Sequence, residues 1–388
     1  MSAAPRRVVV VGGGLAGARA AQELRAQGFA GEVVLLAAEA HLPYDRPPLS
    51  KEVLRGGGPA PVLDVDWAGL GVDLRRGVRA LSLHDGGVRT DAGDVGADGV
   101  VLATGAVPVR IGEGAVLRTL DDALALRRRL VPGARVVVVG AGWIGAEVAT
   151  AAAAAGGEVV VLEAGDGPLA GALGAVGART APWYAAAGVA LRTRTRATAV
   201  HADRVELEGG EVLRADVVVV GVGARHDTDW LAGSPVAVDR GVLADRHLRA
   251  APGVVAVGDC AAWESGLFGT RLRVEHWDDA LQAPAVAVTT LLGGEAVHDP
   301  VPYFWSEQLG HRLQHAGHAE GADQVVDRGD PDGPDGWTTC WLRDGRLVAL
   351  LAVDRPRDLL QGRRLIAARA TPDPVRLGDP DVPLKQLA

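Results

Sequence analysis

Cysteine is nearly absent: Cys260 and Cys340 are the only two in 388 residues, and they lie far apart. Neither a disulfide framework nor a Cys-x-x-Cys redox motif can be built from them. Long apolar runs are missing too. No uninterrupted stretch reaches the length of a bilayer span, and the opening MSAAPRR is not followed by the apolar core of a secretion signal, so the expected location is the cytoplasm, with no membrane partner. Positive charge is not in excess. A net charge of −8 argues against a general nucleic-acid binder, and the run Arg127-Arg128-Arg129 is read as a solvated helix face rather than a basic patch. Lysine is the scarcest charge of all, confined to Lys51 and Lys385 in a chain that otherwise uses arginine.

What is present is ordinary in bulk, with 48% hydrophobic and 23% charged residues, and the length suits two or three domains. The organisation is dominated by an internal repeat. RRVVVVGGGLAGARAAQELRAQG at the start and ARVVVVGAGWIGAEVATAAAAAGG from Ala134 align without gaps, Gly12, Gly14 and Gly17 matching Gly140, Gly142 and Gly145. Each copy reads as a buried β-branched strand, a glycine turn, an alanine-rich helix and a second apolar strand. The fold class is therefore α/β with two Rossmann-like dinucleotide-binding domains.

The three glycines have separate tasks. Gly12 and Gly140 allow the tight turn out of the strand, Gly14 and Gly142 let backbone amides approach a pyrophosphate, and Gly17 and Gly145 let helix pack closely on strand. An anion at the turn meets the unpaired N–H groups and dipole of the helix N-terminus. An acid at the end of the second strand suits an adenosine ribose. In the second copy this is Glu163, 23 residues past Gly140 and followed by Ala164-Gly165, with no arginine there for a 2′-phosphate, which favours NADH over NADPH. In the first copy the acid, Glu39, comes one or two positions late; either it reaches the ribose or Ala37-Ala38 leaves that contact to the backbone.

Two further strands end in turns suited to a flavin nucleotide: VVLATGAVP, with Thr104-Gly105, and GVVAVGDCAAW, with Gly258-Asp259. Their separation in sequence is that of one domain interrupted by another. The strand ADVVVVGVGAR, with Gly221 and Gly223, would close the inserted domain. On VGGGLAG, PPLSK, ATG, LRTLDDA, VGAGWIGAEVA, VGDCA, VEHWDDA, PYFWSEQ and the closing DPDVPLKQL, the chain resembles the FAD-dependent, NADH-linked ferredoxin reductases of the putidaredoxin reductase type, within the two-dinucleotide flavoprotein class.

The resemblance runs almost end to end. It implies an FAD-binding domain at 1–113 and 236–303, an NAD-binding domain at 114–235 and a C-terminal α+β domain at 304–388. In the disulfide reductases of that class the segment after the second strand carries a redox-active cysteine pair, and in related peroxidases a single cysteine. Here the segment reads HLPYDRPPLSK, so a dithiol relay or a sulfenic acid cycle at that place is excluded.

The residues of that segment have their own reading. Pro47-Pro48 is expected to hold the chain extended and stiff, presenting Arg46 and Lys51 beside the cofactor. The resemblance places Lys51 by the flavin ring, where an ammonium would stabilise the charge that builds as hydride arrives. Unit charges about 4 Å apart interact by roughly 4 kcal/mol at an effective dielectric near 20, before desolvation is subtracted. Glu147, the only charge in GWIGAEVATAAAAA, is either the solvated face of its helix or, as the resemblance implies, the partner of Lys51 at the nicotinamide pocket. Trp277, at the start of a helix expected over 275–292, is either a buried aromatic or a neighbour of the flavin ring.

Ala16, the backbone at Ala80, and Arg118 are implied as further FAD contacts, and Ile144 as an NAD contact. Asp259 has an independent rationale, since a carboxylate after a strand-end glycine suits a ribitol hydroxyl. Two departures from the family pattern stand out. Asp279, Gln282 and Pro284 replace the usual residues near the start of the long helix, and His226 replaces a proline. His311, His315 and His318, with Glu307 and Glu320, have spacings that could bind metal from a helix, but HRLQHAGH alternates like a strand, and no metal site is expected.

The leading expectation is that NADH passes hydride to FAD, and that single electrons then go to a small [2Fe–2S]-type ferredoxin serving an oxygenase. Association with the ferredoxin would be transient and the reductase a monomer or weak dimer. The alternatives are an oxidoreductase or oxidase that gives electrons directly to oxygen or a small molecule, and a flavin-holding redox sensor with slow turnover. A flavin monooxygenase also carries two such glycine motifs, but the PPLSK, VGDCA and PYFWSEQ set favours the reductase reading.

Overall fold

The computed structural model describes residues 5–387; Met1–Ala4, on which the reading of the N-terminus partly rests, and Ala388 lie outside the described residues. Four valines in a row behind an arginine favour extended backbone buried on both faces, and this occurs twice. The first copy folds as β1 (Arg7–Val11), α1 (Leu15–Ala26) and β2 (Glu32–Ala37). The second folds as β3 (Arg135–Val139), α2 (Trp143–Ala154) and β4 (Glu158–Leu162). In each, the two strands pair in parallel along their whole length, Val8 with Val33 and Val136 with Val159.

By compactness the chain divides into two units. The first comprises the chain up to Asp45, Pro61–Val107 and Arg225–Phe304. Its main sheet has six strands in the order Arg249–Ala251, Val254–Ala256, Gly99–Leu102, β1, β2 and Val72–Arg76, all parallel except at the Arg249–Ala251 edge. Val8, Val9, Val10 and Val101 are fully buried in its centre. A small antiparallel sheet, Ala80–His84, Gly87–Thr90 and Gly93–Gly96, lays Leu83, Val88 and Val95 on one core with Val9 and Val11. The long helix α3 (Trp277–Leu291) packs along α1. It begins two residues later than expected, with His276 as N-cap, and Pro284 sits inside it without ending it.

The second unit comprises Arg46–Ala60, Pro108–Ala224 and the chain from Trp305 on. Its parallel sheet runs Ala190–Arg192, β4, β3, Val217–Val220. The C-terminal part is a five-stranded sheet in the order β5 (Tyr303–Gln308), His311–Gly317, Arg346–Val353, Trp337–Arg343, Gln324–Arg328. His311 to Gly317 is thus a strand, and within it His311 bonds Asp354 and stacks on Trp183. The helix Pro356–Ala367 packs on this sheet, and Leu313, Trp337 and Leu351 share a core with Leu169, Leu173 and Val176. The last turns are secured by Arg328, 2% exposed, which bonds Asp358 and the carbonyls of Pro380 and Val382.

Candidate functional site

In the first unit the glycine turn is enforced by its surroundings. Gly12 has φ +121°, and a Cβ there would stand 2.1 Å from the Ala103 carbonyl oxygen; one on Gly17 would stand 1.9 Å from Gly12 O. Gly14 is different: it caps α1 in an extended conformation, and a Cβ would meet nothing within 4 Å. No side chain caps the helix and no acid lies in its first turn. An uncapped N-terminus with open space before it is what a pyrophosphate requires, so the residues present fit a dinucleotide such as FAD.

The other predicted residues of this unit fall around that turn. Ala16 lies in the first turn of α1, and Gly258, whose φ is +67°, would carry a Cβ 3.0 Å from the Ala16 Cβ, which sets Asp259 beside the helix start. Thr104 Oγ1 donates to Asp227 O at 2.7 Å, and Gly105 turns with φ +69°. Glu39 is half-buried and accepts the Tyr44 hydroxyl at 2.5 Å. Ala80 opens the small antiparallel sheet. Trp277 donates its indole N–H to Asp45 Oδ1 at 2.9 Å. Arg46 and Arg118 belong instead to the second unit, where Arg46 donates to the Arg118 carbonyl at 2.6 Å.

The start of α3 holds a buried pair that the sequence did not announce. Asp279 and His298 are 5% and 3% exposed, with Oδ1 and Nε2 2.8 Å apart, and His298 meets the edge of Trp263. Burial pushes the Asp279 carboxyl up. The neighbouring His276 is driven down to about 4 by burial. His226 takes the place of the family proline in a short strand, Ala224–His226, and is buried against Arg273.

In the second unit the same backbone device recurs. Gly140 has φ +102° and would drive a Cβ to 2.5 Å from Gly221 O, and one on Gly145 would meet Gly140 O at 2.0 Å. Gly142 caps α2 with no side-chain cap and no acid in the first turn, so these residues also fit a dinucleotide. Ile144 is exposed on that turn, and Gly223, with φ +115°, borders open space. Glu163 Oε2 accepts from Ala141 N at 2.9 Å and Oε1 from Gly165 N at 2.7 Å, bracing the turn while each oxygen keeps a lone pair for a ribose hydroxyl.

No arginine follows Glu163 directly in sequence, but the neighbouring parallel strand ends at Arg192, whose carbonyl accepts from Glu163 N at 2.8 Å, and Arg194 follows two residues on. Arg194 N donates to Gly165 O at 2.9 Å, and its guanidinium, largely exposed, pairs with Asp166 at 2.7 Å; Arg192 pairs with Glu211.

Lys51 and Glu147 are brought together. Lys51 is 6% and Glu147 4% exposed, and Nζ lies 2.9 Å from Oε2. The solvated-face reading of Glu147 is therefore excluded. Pro47-Pro48 does not extend the chain as expected: Pro47–Ser50 is a 3₁₀ turn. Proline's fixed φ suits a first helical turn, where its missing N–H would be unpaired in any case. The turn directs Lys51 inward, where Nζ also donates to Pro47 O at 3.3 Å. Ser50 donates to Glu147 Oε2, and Ser306 of β5 donates to Oε1 at 2.6 Å. Three donors on one buried carboxylate compensate much of its lost hydration. Both serines stand in motifs that carry the family resemblance, PPLSK and PYFWSEQ, but an uncharged side chain gives no pattern that marks it as a carboxylate's partner.

Residues 6–283 match the family described as pyridine nucleotide-disulphide oxidoreductase, and residues 303–388 that described as reductase C-terminal. The ferredoxin--NAD(+) reductase component of the anthranilate 1,2-dioxygenase system of Burkholderia cepacia is 38% identical over 99% of both chains. Among solved structures, that titled crystal structure of Fdr9 superposes with a TM-score of 0.93 at 47% identity, over 98% of this chain and 99% of that one. The covalent putidaredoxin reductase–putidaredoxin complex gives 0.92 at 32% identity, over 98% of each chain. The chain belongs to the pyridine nucleotide-disulphide oxidoreductase family, in its ferredoxin reductase branch with the reductase C-terminal domain. Among the described residues no helix is long and apolar enough to cross a membrane.

Proposed function

We propose that the chain is an NADH-dependent ferredoxin reductase: it takes hydride from NADH through bound FAD and delivers single electrons to a small [2Fe–2S]-type ferredoxin that serves an oxygenase. The observation that carries this reading is the pair of uncapped, glycine-turned helices, one in each unit, in a chain whose segment 41–54 has no cysteine. Bound FAD supplies the conversion of a hydride pair into two single-electron deliveries. The enzyme works in the cytoplasm in this reading, beside the NADH pool, and meets its ferredoxin transiently as a monomer or weak dimer.

The chain's residues divide the remaining tasks. Gly12, Gly14, Ala16 and Gly17 hold the FAD pyrophosphate, Asp259 a ribitol hydroxyl, and Glu39 the adenosine ribose, with Thr104, Gly105, Ala80 and Trp277 at the rest of that ligand. Gly140, Gly142, Ile144, Gly145, Gly221 and Gly223 line the NADH turn, with Glu163 on the ribose hydroxyls. Lys51 supplies the positive charge that favours hydride arrival, and Glu147 holds that ammonium in place. The domains follow as 1–113 with 236–303 for FAD, 114–235 for NAD and 304–388 at the C-terminus; the change of matched family between residues 283 and 303 supports the last boundary.

The test is NADH-dependent cytochrome c reduction by the FAD-loaded protein. Activity that requires an added [2Fe–2S] ferredoxin is expected. Oxygen uptake at the same rate without ferredoxin would establish an oxidase instead, and a long-lived reduced state with negligible turnover to any ferredoxin would establish a sensor.

A further inference from the structure

Glu147 has two carboxylate oxygens, and they are used differently. Oε2 receives Lys51 and Ser50, both from the Arg46–Ala60 segment, whereas Oε1 receives Ser306 from the far end of the chain, 159 residues away. Ser306 is 1% exposed, and so is Gln308, two residues on and therefore on the same face of β5. Gln308 Nε2 donates to Ser306 Oγ at 3.3 Å. An amide N–H can only donate, so the serine oxygen accepts there and its own hydrogen is left for Glu147 Oε1.

The strand is pinned to the helix at a second point. Leu309 N donates to Thr150 Oγ1 at 2.9 Å, three residues along α2 from Glu147 and on the same helix face. The donor on Oε1 thus sits on backbone that is itself fastened to α2. A carboxylate held only through Oε2 can turn about its last bond and carry that oxygen away from Lys51.

We propose that Ser306, oriented by Gln308, is a positioning residue for the Lys51–Glu147 pair: it anchors one oxygen of Glu147 so that the other stays aimed at the Lys51 ammonium. The C-terminal domain thereby sets the charge that the reaction uses, without contributing a charged group of its own. This rests on the role given to Lys51 above.

The test is a double-variant cycle on the two-electron midpoint potential of the FAD-loaded protein, using Lys51→Met, Ser306→Ala and both together. Ser306→Ala is expected to weaken stabilisation of reduced over oxidised flavin about threefold, a shift of about 15 mV to more negative potential by the two-electron relation. In the Lys51→Met background the same substitution is expected to shift the potential by less than half as much, and Ser306→Thr, which keeps the hydroxyl, to restore most of it. A Lys51→Met protein with unchanged potential would remove Lys51 from the flavin's charge balance, and the inference with it. A clear Lys51→Met shift with equal Ser306→Ala shifts in both backgrounds would overturn the inference alone. Should Ser306→Ala not retain FAD, Ser306→Cys, a weak donor of similar volume, takes its place in the same cycle, with the same two decisive outcomes.

Discussion

Lys51 Nζ lies 2.9 Å from Glu147 Oε2, across 96 residues of sequence, with both side chains almost wholly removed from water. Breaking such a pair by removing one partner strands the other charge in low dielectric, which costs on the order of 3–5 kcal/mol. Lys51→Met is therefore expected to lower stability by about that amount, with FAD still bound, and to slow flavin reduction by NADH in stopped flow. Adding Glu147→Gln should recover much of the stability and none of the rate. Unchanged reduction kinetics in Lys51→Met would remove the lysine from the mechanism.

The two kinds of glycine in the first turn predict opposite phenotypes. Gly17→Ala places a methyl group on Gly12 O, and the expected outcome is loss of soluble folded protein. Gly14→Ala meets open space at an allowed backbone conformation and costs only about 1 kcal/mol as a poorer cap. It should fold and yet bind FAD weakly, since the methyl group occupies the space before the uncapped N–H groups. Thermal unfolding beside flavin content separates these outcomes; full flavin content in Gly14→Ala would place the pyrophosphate elsewhere.

Acid stability should depend on His276. Its folded value, near 4, lies below the ordinary 6.5, so the unfolded chain binds a proton more readily over that interval. The contribution is fully present above about pH 6.5 and is lost as pH falls toward 4, by about 3 kcal/mol at most. Urea unfolding across this range should be less pH-dependent in His276→Gln than in the parent. Asp279, pushed up by burial, acts in the opposite direction and is common to both proteins, so the difference isolates His276.

Coenzyme choice should respond to Asp166. Arg194 stands beside the Glu163 turn but is engaged by Asp166. Asp166→Ala releases the guanidinium for a 2′-phosphate, and kcat/KM for NADPH is expected to rise about fivefold, on the order of 1 kcal/mol for an exposed charge-assisted contact. No change in the NADPH to NADH ratio would mean that Arg194 does not reach the adenosine ribose.

What could be read from the sequence was local. The two βαβ copies are legible because valine runs, glycine positions and alanine-rich helices encode their geometry within about thirty residues. The Lys51–Glu147 pairing came from resemblance, since no periodicity links positions so far apart. Ser306 and Gln308 stay hidden because neutral side chains leave no charge pattern, and Arg194 because a loop hydrogen bond just past the strand end, not sequence adjacency, brings it to Gly165. The proline pair is ambiguous in sequence for a specific reason: a rigid φ of about −65° suits an extended chain and the start of a 3₁₀ turn equally, and here it starts the turn.

Glu147 also limits how the protein can be dissected. Its four-part network draws on the Arg46–Ala60 segment, on α2 and on β5, so a fragment cut at 114–235 would keep the acid and discard Lys51, Ser50 and Ser306 together. Such a fragment would leave a carboxylate on an alanine-rich helix without the three donors that hold it. Residues 114–235 are thus not a portable module: grafting them with this network intact means transplanting three separated pieces of chain at once.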